Sequence, residues 1–344
     1  MIHFECDYTE GCCVEILEAL NKSNFEQTSG YGEDSYCKSA IAKIKKACNS
    51  PQADVHFLVG GTQANLTIIS SILKPYQGVI APETGHIAVH ETGAIESCGH
   101  KVLTIPAKNG KISATQIQQI CENHFADSNH EHTVQPRMVY ISFPTESGSL
   151  YSKSELENIY ETCKKNNLPL FIDGARLGYG LASEQCDCTL QDIAQLCDVF
   201  YIGGTKVGAL FGEAVVILNK MLQKDFRYMI KQKGGLLAKG RLLGLQFDTL
   251  FTDNLYFDIA KQAINQALRI KEAFLKKNIP MHFDSPTNQL FPILTTEQQQ
   301  FFDKKYITTF WEKIDENRAV IRFCTSWATK DEYVNQLITD IESC

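Results

Sequence analysis

What this 344-residue sequence lacks narrows its chemistry before any motif is considered. It has no long hydrophobic run: stretches such as Leu66–Leu73 fall well short of the roughly 20 apolar residues that a membrane-spanning helix needs, so no membrane association is expected. It has no excess of positive charge. Lys and Arg number 33 against 40 Asp and Glu, for a formal net charge of −7, which argues against a nucleic-acid surface. Short basic stretches such as Lys43-Ile44-Lys45-Lys46 read as the solvated side of an amphipathic helix. Thirteen cysteines are present, but no Cys-x-x-Cys. Neither Cys12-Cys13 nor Cys186-Asp187-Cys188 assembles into a common zinc-ligand pattern, so no metal site is expected. The opening Met1-Ile2-His3-Phe4-Glu5 lacks the basic-then-apolar pattern of an export signal, and scattered thiols without one fit a cytoplasmic protein. There is no Gly-x-Gly-x-x-Gly and no P-loop lysine, which disfavours a dinucleotide or nucleoside triphosphate. Internal repeats, heptads and low-complexity linkers are also missing.

What is present is an alternation of short apolar strands with amphipathic helices. Strands are expected at 55–59, 78–81, 101–105, 137–143, 168–172 and 199–202, with a return strand at 211–219. Helices are expected at 63–73, 86–97, 113–124 and 152–166. Such alternation predicts an α/β domain with a mixed, mostly parallel sheet between helices. Past about residue 245 the rhythm changes to one long helix (253–277), a strand pair within 281–294 interrupted by Asp284-Ser285-Pro286, strands at 308–311 and 319–325, and a terminal helix (330–343). We read residues 1–248 as a large domain and 249–344 as a smaller C-terminal α+β domain.

Two segments carry the chemistry. Leu168–Ile172 leads into Asp173-Gly174-Ala175-Arg176, and Val199–Ile202 opens into Gly203-Gly204-Thr205-Lys206. An acid at one strand end and a lysine just past another suit a pyridoxal phosphate (PLP) site. There the lysine amine forms a Schiff base and the aspartate pairs with the protonated pyridine nitrogen. The plainer alternative is a turn aspartate and a solvated lysine. Gly60-Gly61-Thr62 lies between a strand and a helix, where unpaired backbone N–H groups and the helix dipole attract an anion such as a cofactor phosphate; a simple glycine turn is the other reading. His86 follows a short strand and could stack on a flat cofactor or serve as a base near neutral pH. Arg176 lies near Asp173. Arg322 interrupts an apolar strand and needs a partner, either a bidentate substrate carboxylate or an internal acid.

These residues, with Tyr31-Gly32-Glu33-Asp34, Gly61-Thr62-Gln63-Ala64-Asn65 and Glu91 five residues past His86, make the chain resemble the threonine aldolase family of PLP enzymes over nearly its whole length. The Gly-Gly-Thr-Lys form is closer to the phenylserine-aldolase branch. The resemblance implies the aspartate-aminotransferase-like fold, with an N-terminal segment reaching the active site. It implies cleavage of threonine-like β-hydroxy-α-amino acids to glycine and an aldehyde. Lys206 would carry the cofactor, Asp173 pair its ring nitrogen, His86 stack on the ring, and Gly61 and Thr62 hold the phosphate. Arg176 and Arg322 would grip the substrate carboxylate, and Tyr31 would enter from a neighbouring subunit of a homo-oligomer, typically a tetramer. Lys239 and Arg241 match a basic segment close to a subunit contact. Two positions depart from the family pattern. Cys6 replaces a serine that touches the carboxylate, and Glu146, in Pro144-Thr145-Glu146-Ser147-Gly148, stands where many members place a histidine near the substrate hydroxyl. Either His86 or Glu146 would then be the hydroxyl base. A β-eliminating lyase, an aminotransferase, or a non-catalytic binding protein on the same fold are the other readings.

Overall fold

In the computed structural model, which describes residues 1–344, the chain forms thirteen strands. They are β1 (Ile2–His3), β2 (Asp54–Leu58), β3 (Gln77–Pro82), β4 (Lys101–Ile105), β5 (Gln135–Ser142), β6 (Leu170–Asp173), β7 (Val199–Gly203), β8 (Glu213–Ile217), β9 (Gln289–Leu290), β10 (Ile293–Thr295), β11 (Tyr306–Ile307), β12 (Thr309–Lys313) and β13 (Arg318–Cys324). Seven make the central sheet in the order β2-β8-β7-β6-β5-β3-β4. The β3–β7 pairings are parallel, and β8 runs antiparallel to both of its neighbours.

Alternate residues of the inner strands feed opposite layers. Leu170, Ile172, Phe200 and Ile202 join one apolar cluster, while Phe171, Val199 and Tyr201 join another. Burial on both faces is why these strands read as unbroken apolar runs. Because β3, β5, β6 and β7 are parallel, their C-terminal ends open on one side of the sheet, where folds of this kind bind ligands. The helices start where hydroxyl residues can cap them. Ser113 and Ser152 each form a reciprocal capping box with a residue three positions on, satisfying backbone N–H groups that a helix start leaves unpaired.

Beyond the long helix Leu255–Lys276, β10, β13 and β12 form an antiparallel sheet, and β9 also pairs with β13. Its core contains Phe274, Leu290, Phe323 and Leu337, and also Phe4 from the other end of the chain. β1 pairs in parallel with β11, and the Cys324 N–H donates to the Phe4 carbonyl at 2.7 Å. The N-terminal residues, grouped by sequence with the segment up to 248, thus hydrogen-bond to strands beyond 300.

Two elements differ from expectation. The helix expected over 86–97 is two single turns, His86–Val89 and Ala94–Ser97, because Thr92 and Gly93 take left-handed φ values of +52° and +70°. The strand pair expected within 281–294 is only β9 and β10, each bonded to β13, with a lone bridge between Met281 and Pro292. The backbone between them finds other partners: the Lys271 amine donates to the Ser285 carbonyl at 2.9 Å, and the Thr325 N–H to Asn288 at 3.0 Å.

Candidate active site

The ends of β6 and β7 approach so closely that both must carry glycine. The Gly203 N–H donates to the Gly174 carbonyl at 2.9 Å. A Cβ on Gly174 would lie 1.9 Å from the Tyr201 carbonyl oxygen, and one on Gly203 would lie 2.2 Å from that of Ala175. This contact brings Asp173 and Lys206 to one cavity of about 290 Å³, which Gly61, Thr62, His86 and Glu146 also line.

Asp173 is buried and accepts four hydrogen bonds. Oδ2 takes them from Tyr140 (2.6 Å) and Asn65 (3.1 Å), and Oδ1 from the Ala175 N–H (3.0 Å) and the Tyr201 phenol. Burial, followed by the charge of Asp173, pushes both phenols well above the usual tyrosine range, so they stay protonated and donate. The Asn65 amide also donates to Glu91 at 2.6 Å, and Glu91 Oε1 lies 2.7 Å from His86 Nδ1. With Nδ1–H donating to that carboxylate, Nε2 is the free ring nitrogen. Asp173, Asn65, Glu91 and His86 therefore form one hydrogen-bonded chain.

Glu146 Oε1 accepts from the His86 backbone N–H (2.9 Å) and the Ser142 hydroxyl (2.6 Å), while its Oε2 is buried without a partner. Burial raises its pKa, and the Asp173 charge adds to the effect. The Lys206 amine makes no hydrogen bond within the chain and sits 5.8 Å from the centroid of the Tyr8 ring. Burial and then the Arg176 cation lower its pKa, which increases the fraction present as the nucleophilic free amine.

Behind Lys206 lies a carboxylate not singled out by sequence. Glu213 on β8 pairs in register with Gly203 and accepts from the Gly204 N–H (3.1 Å) and the Thr205 hydroxyl (2.9 Å). Burial pushes its pKa up to about 8. Its only sequence signal was an acid at the start of an otherwise apolar strand, Glu213-Ala-Val-Val-Ile.

The two arginines are held differently. Arg176 is paired bidentately with buried Asp7, through Nε at 2.7 Å and Nη2 at 2.9 Å, and Nη1 is left over. Arg322 has only neutral acceptors, the Glu5 carbonyl (2.7 Å), Gln289 (3.3 Å) and Thr309 (3.4 Å); its Nε is buried and unpaired. No carboxylate neutralises it, which removes the internal ion pair as its explanation. Arg322 lines a second cavity of about 490 Å³ that shares Tyr8, His86, Glu146, Arg176 and Lys206 with the first.

Two expected positions lie off these walls. Cys6 lines neither cavity; with Asp7 anchored by Arg176 and Asn288, Tyr8 is the residue of this segment that reaches them. Tyr31 lies in a separate depression with Arg227, Tyr228 and Lys231. Arg241 is tied to the Ser23 carbonyl at 2.8 Å.

The residues fit PLP. The N–H groups of Gly61, Thr62 and Gln63 have no partner at the start of a twelve-residue helix and could hold a phosphate. An unpaired amine of lowered pKa could take an aldehyde. Asp173 could accept a ring N–H, in competition with the Tyr201 phenol that also lines the cavity.

The beta-eliminating lyase family matches residues 4–286. A low specificity L-threonine aldolase from Pseudomonas sp. (strain NCIMB 10558) is 32% identical, over 99% of this chain and 97% of its own. The structure of Leishmania major threonine aldolase superposes with a TM-score of 0.97 at 42% identity, covering 100% of this chain and 99% of that one. An aspartate aminotransferase from Thermus thermophilus reaches a TM-score of 0.72 at 12% identity over 100% of this chain and 91% of its own, a likeness of fold alone. The chain belongs to the beta-eliminating lyase family and, within it, to the threonine aldolases, which are carbon–carbon lyases.

Proposed function

We propose that the protein is a PLP-dependent aldolase that cleaves threonine-like β-hydroxy-α-amino acids to glycine and an aldehyde. The observation that carries this reading is the partnerless Lys206 amine, of lowered pKa, sharing one cavity with Asp173, His86 and the Gly61–Thr62 helix start. Bound there, PLP would supply an electron-withdrawing ring that takes up the electron pair of the breaking Cα–Cβ bond.

The chain's own groups divide the remaining work. Lys206 attaches the cofactor, Gly61 and Thr62 bind its phosphate, and Asp173 pairs with its ring nitrogen. His86 packs on the ring, oriented by Glu91. Arg322, which has no carboxylate of its own, and the free Nη1 edge of Arg176 bind the substrate carboxylate and fix which Cα bond is cleaved. A base on the substrate side of the cavity receives the hydroxyl proton; His86 and Glu146, the two that the sequence singles out, both line that side. A homo-oligomer, with Tyr31 entering a neighbouring subunit's site, and a cytoplasmic location complete the reading. No helix is long and apolar enough to cross a membrane.

The test is product analysis. Purified protein given threonine, allo-threonine, phenylserine or serine should release glycine and the matching aldehyde. Keto acids with ammonia would point to elimination, and keto acids with amino-group transfer to an aminotransferase. Borohydride reduction and peptide mapping should place the pyridoxyl group on Lys206.

A further inference from the structure

Two cavities share the Lys206 wall but differ in what else lines them. The inner one holds Gly61, Thr62 and Asp173, the groups assigned to the cofactor. The outer one lacks these and adds Arg322, His90, Gln289 and Trp311. The outer cavity is therefore the substrate side, and the base that takes the hydroxyl proton has to face it. Its candidates are His86, His90, Glu146 and Tyr8.

Three of the four are constrained. His86 keeps Nε2 free with Nδ1 held by Glu91, but its ring is the one assigned to pack flat on the cofactor, which turns its nitrogens away from a hydroxyl on the substrate side. Glu146 has Oε1 occupied by two donors, the His86 N–H and the Ser142 hydroxyl, and Oε2 buried. Burial lifts the pKa of Tyr8, so its phenol is protonated near neutral pH. His90 is not constrained in this way. Its ring makes no hydrogen bond within the chain, it is exposed on the cavity wall, and its centroid is 5.5 Å from that of His86. The spacing His86-x-x-x-His90 across one helical turn places both rings on the same face.

We propose that His90 is the general base that removes the β-hydroxyl proton. This rests on the aldol-cleavage reading above. In the step, the substrate O–H bond breaks and its proton passes to neutral His90. The O–H electron pair becomes the C=O π bond of the departing aldehyde, and the Cα–Cβ pair stays on Cα, where PLP bound by Lys206 and Asp173 would supply the electron-withdrawing chemistry. His90 then returns its proton to water through the open cavity. Its surroundings favour the neutral form at rest. Partial burial, followed by the electrostatic influence of His86, Arg322 and Lys206, depresses its pKa; Arg176, Glu146 and Tyr8 are the other ionisable groups on the same wall.

The test separates hydroxyl deprotonation from chemistry at Cα. Exchange of the glycine α-proton in D2O needs the cofactor, Lys206 and the carboxylate site but no hydroxyl base. His90→Asn and His90→Gln should lose about 100-fold or more in threonine cleavage, the usual scale for a positioned base. They should keep wild-type glycine exchange and cofactor absorbance. In His90→Ala, added imidazole should restore part of the cleavage rate, and the acid limb of the wild-type kcat/KM profile should vanish without it. Cleavage that persists in these variants, exchange lost together with cleavage, or an unmoved acid limb without imidazole rescue would each overturn the assignment. Wild-type protein that exchanges glycine but never cleaves threonine would instead refute the aldolase reading.

Discussion

Gly174→Ala tests whether the β6–β7 contact builds the site. The added Cβ would sit 1.9 Å from the Tyr201 carbonyl oxygen, about 1.5 Å short of ordinary contact, and 3.1 Å from Leu177 Cβ. The clashing oxygen belongs to the backbone, so no rotamer change relieves it. The strand ends must part, weakening the 2.9 Å hydrogen bond from Gly203 to Gly174 and moving Asp173 away from Lys206. Overpacking of this kind costs about 1–3 kcal/mol, and the lost hydrogen bond about 1 more. A displacement on the order of 1 Å in the reacting geometry costs about 100-fold in rate. Urea unfolding should show a lower midpoint at constant slope, and threonine cleavage should fall by about two orders of magnitude at saturating PLP. Gly60→Ala is the control, since nothing lies within 4 Å of its added Cβ; it should cost less than about 1 kcal/mol. A Gly174→Ala protein with wild-type stability and turnover would refute the argument.

Three further outcomes follow from the geometry. Glu213 has a folded-state pKa of about 8 against an ordinary 4.5, so the stability associated with its neutral form is complete below about pH 4.5 and is lost as pH rises through about 8; urea midpoints measured from pH 5 to 8.5 should fall less in Glu213→Gln than in wild type. Asn65→Leu removes the amide shared by Asp173 and Glu91 and leaves two buried carboxylates short of a donor. It should cost about 1–3 kcal/mol in thermal unfolding and reduce turnover, whereas a fully stable, fully active variant would show that the hydrogen-bonded chain contributes nothing. Arg322→Leu should raise KM for the amino acid, lowering kcat/KM by roughly 10- to 100-fold on the scale of charged hydrogen bonds, while PLP affinity measured by absorbance titration stays unchanged; an unaltered KM would remove Arg322 from the carboxylate site.

The sequence by itself determined the parts that local pattern encodes. Doubly buried strands need continuous apolar runs, so β6 and β7 were legible, and with them Asp173 at one end and Lys206 just past the other. A serine ahead of an amphipathic run, followed in the case of Ser152 by a glutamate three residues on, was a local signal for the starts of the helices at Ala114 and Lys153. A glycine pair opening a helix marked the anion site at Gly61. Tertiary structure alone decided which distant side chains meet these groups. Asp7 reaches Arg176 across 169 positions, Asn65 reaches Asp173 across 108, and Tyr140 reaches it across 33. Glu213 comes to lie behind Lys206 only because β8 turns back antiparallel beside β7. None of these partners has a periodic signature, because a hydrogen bond between remote residues depends on strand order and register. The same holds for His90, which carried no signal beyond its spacing from His86 until the fold set it on one cavity wall with Arg322 and Lys206. Local propensity wrote the strands and the helix starts, and packing chose which of their ends would share a site.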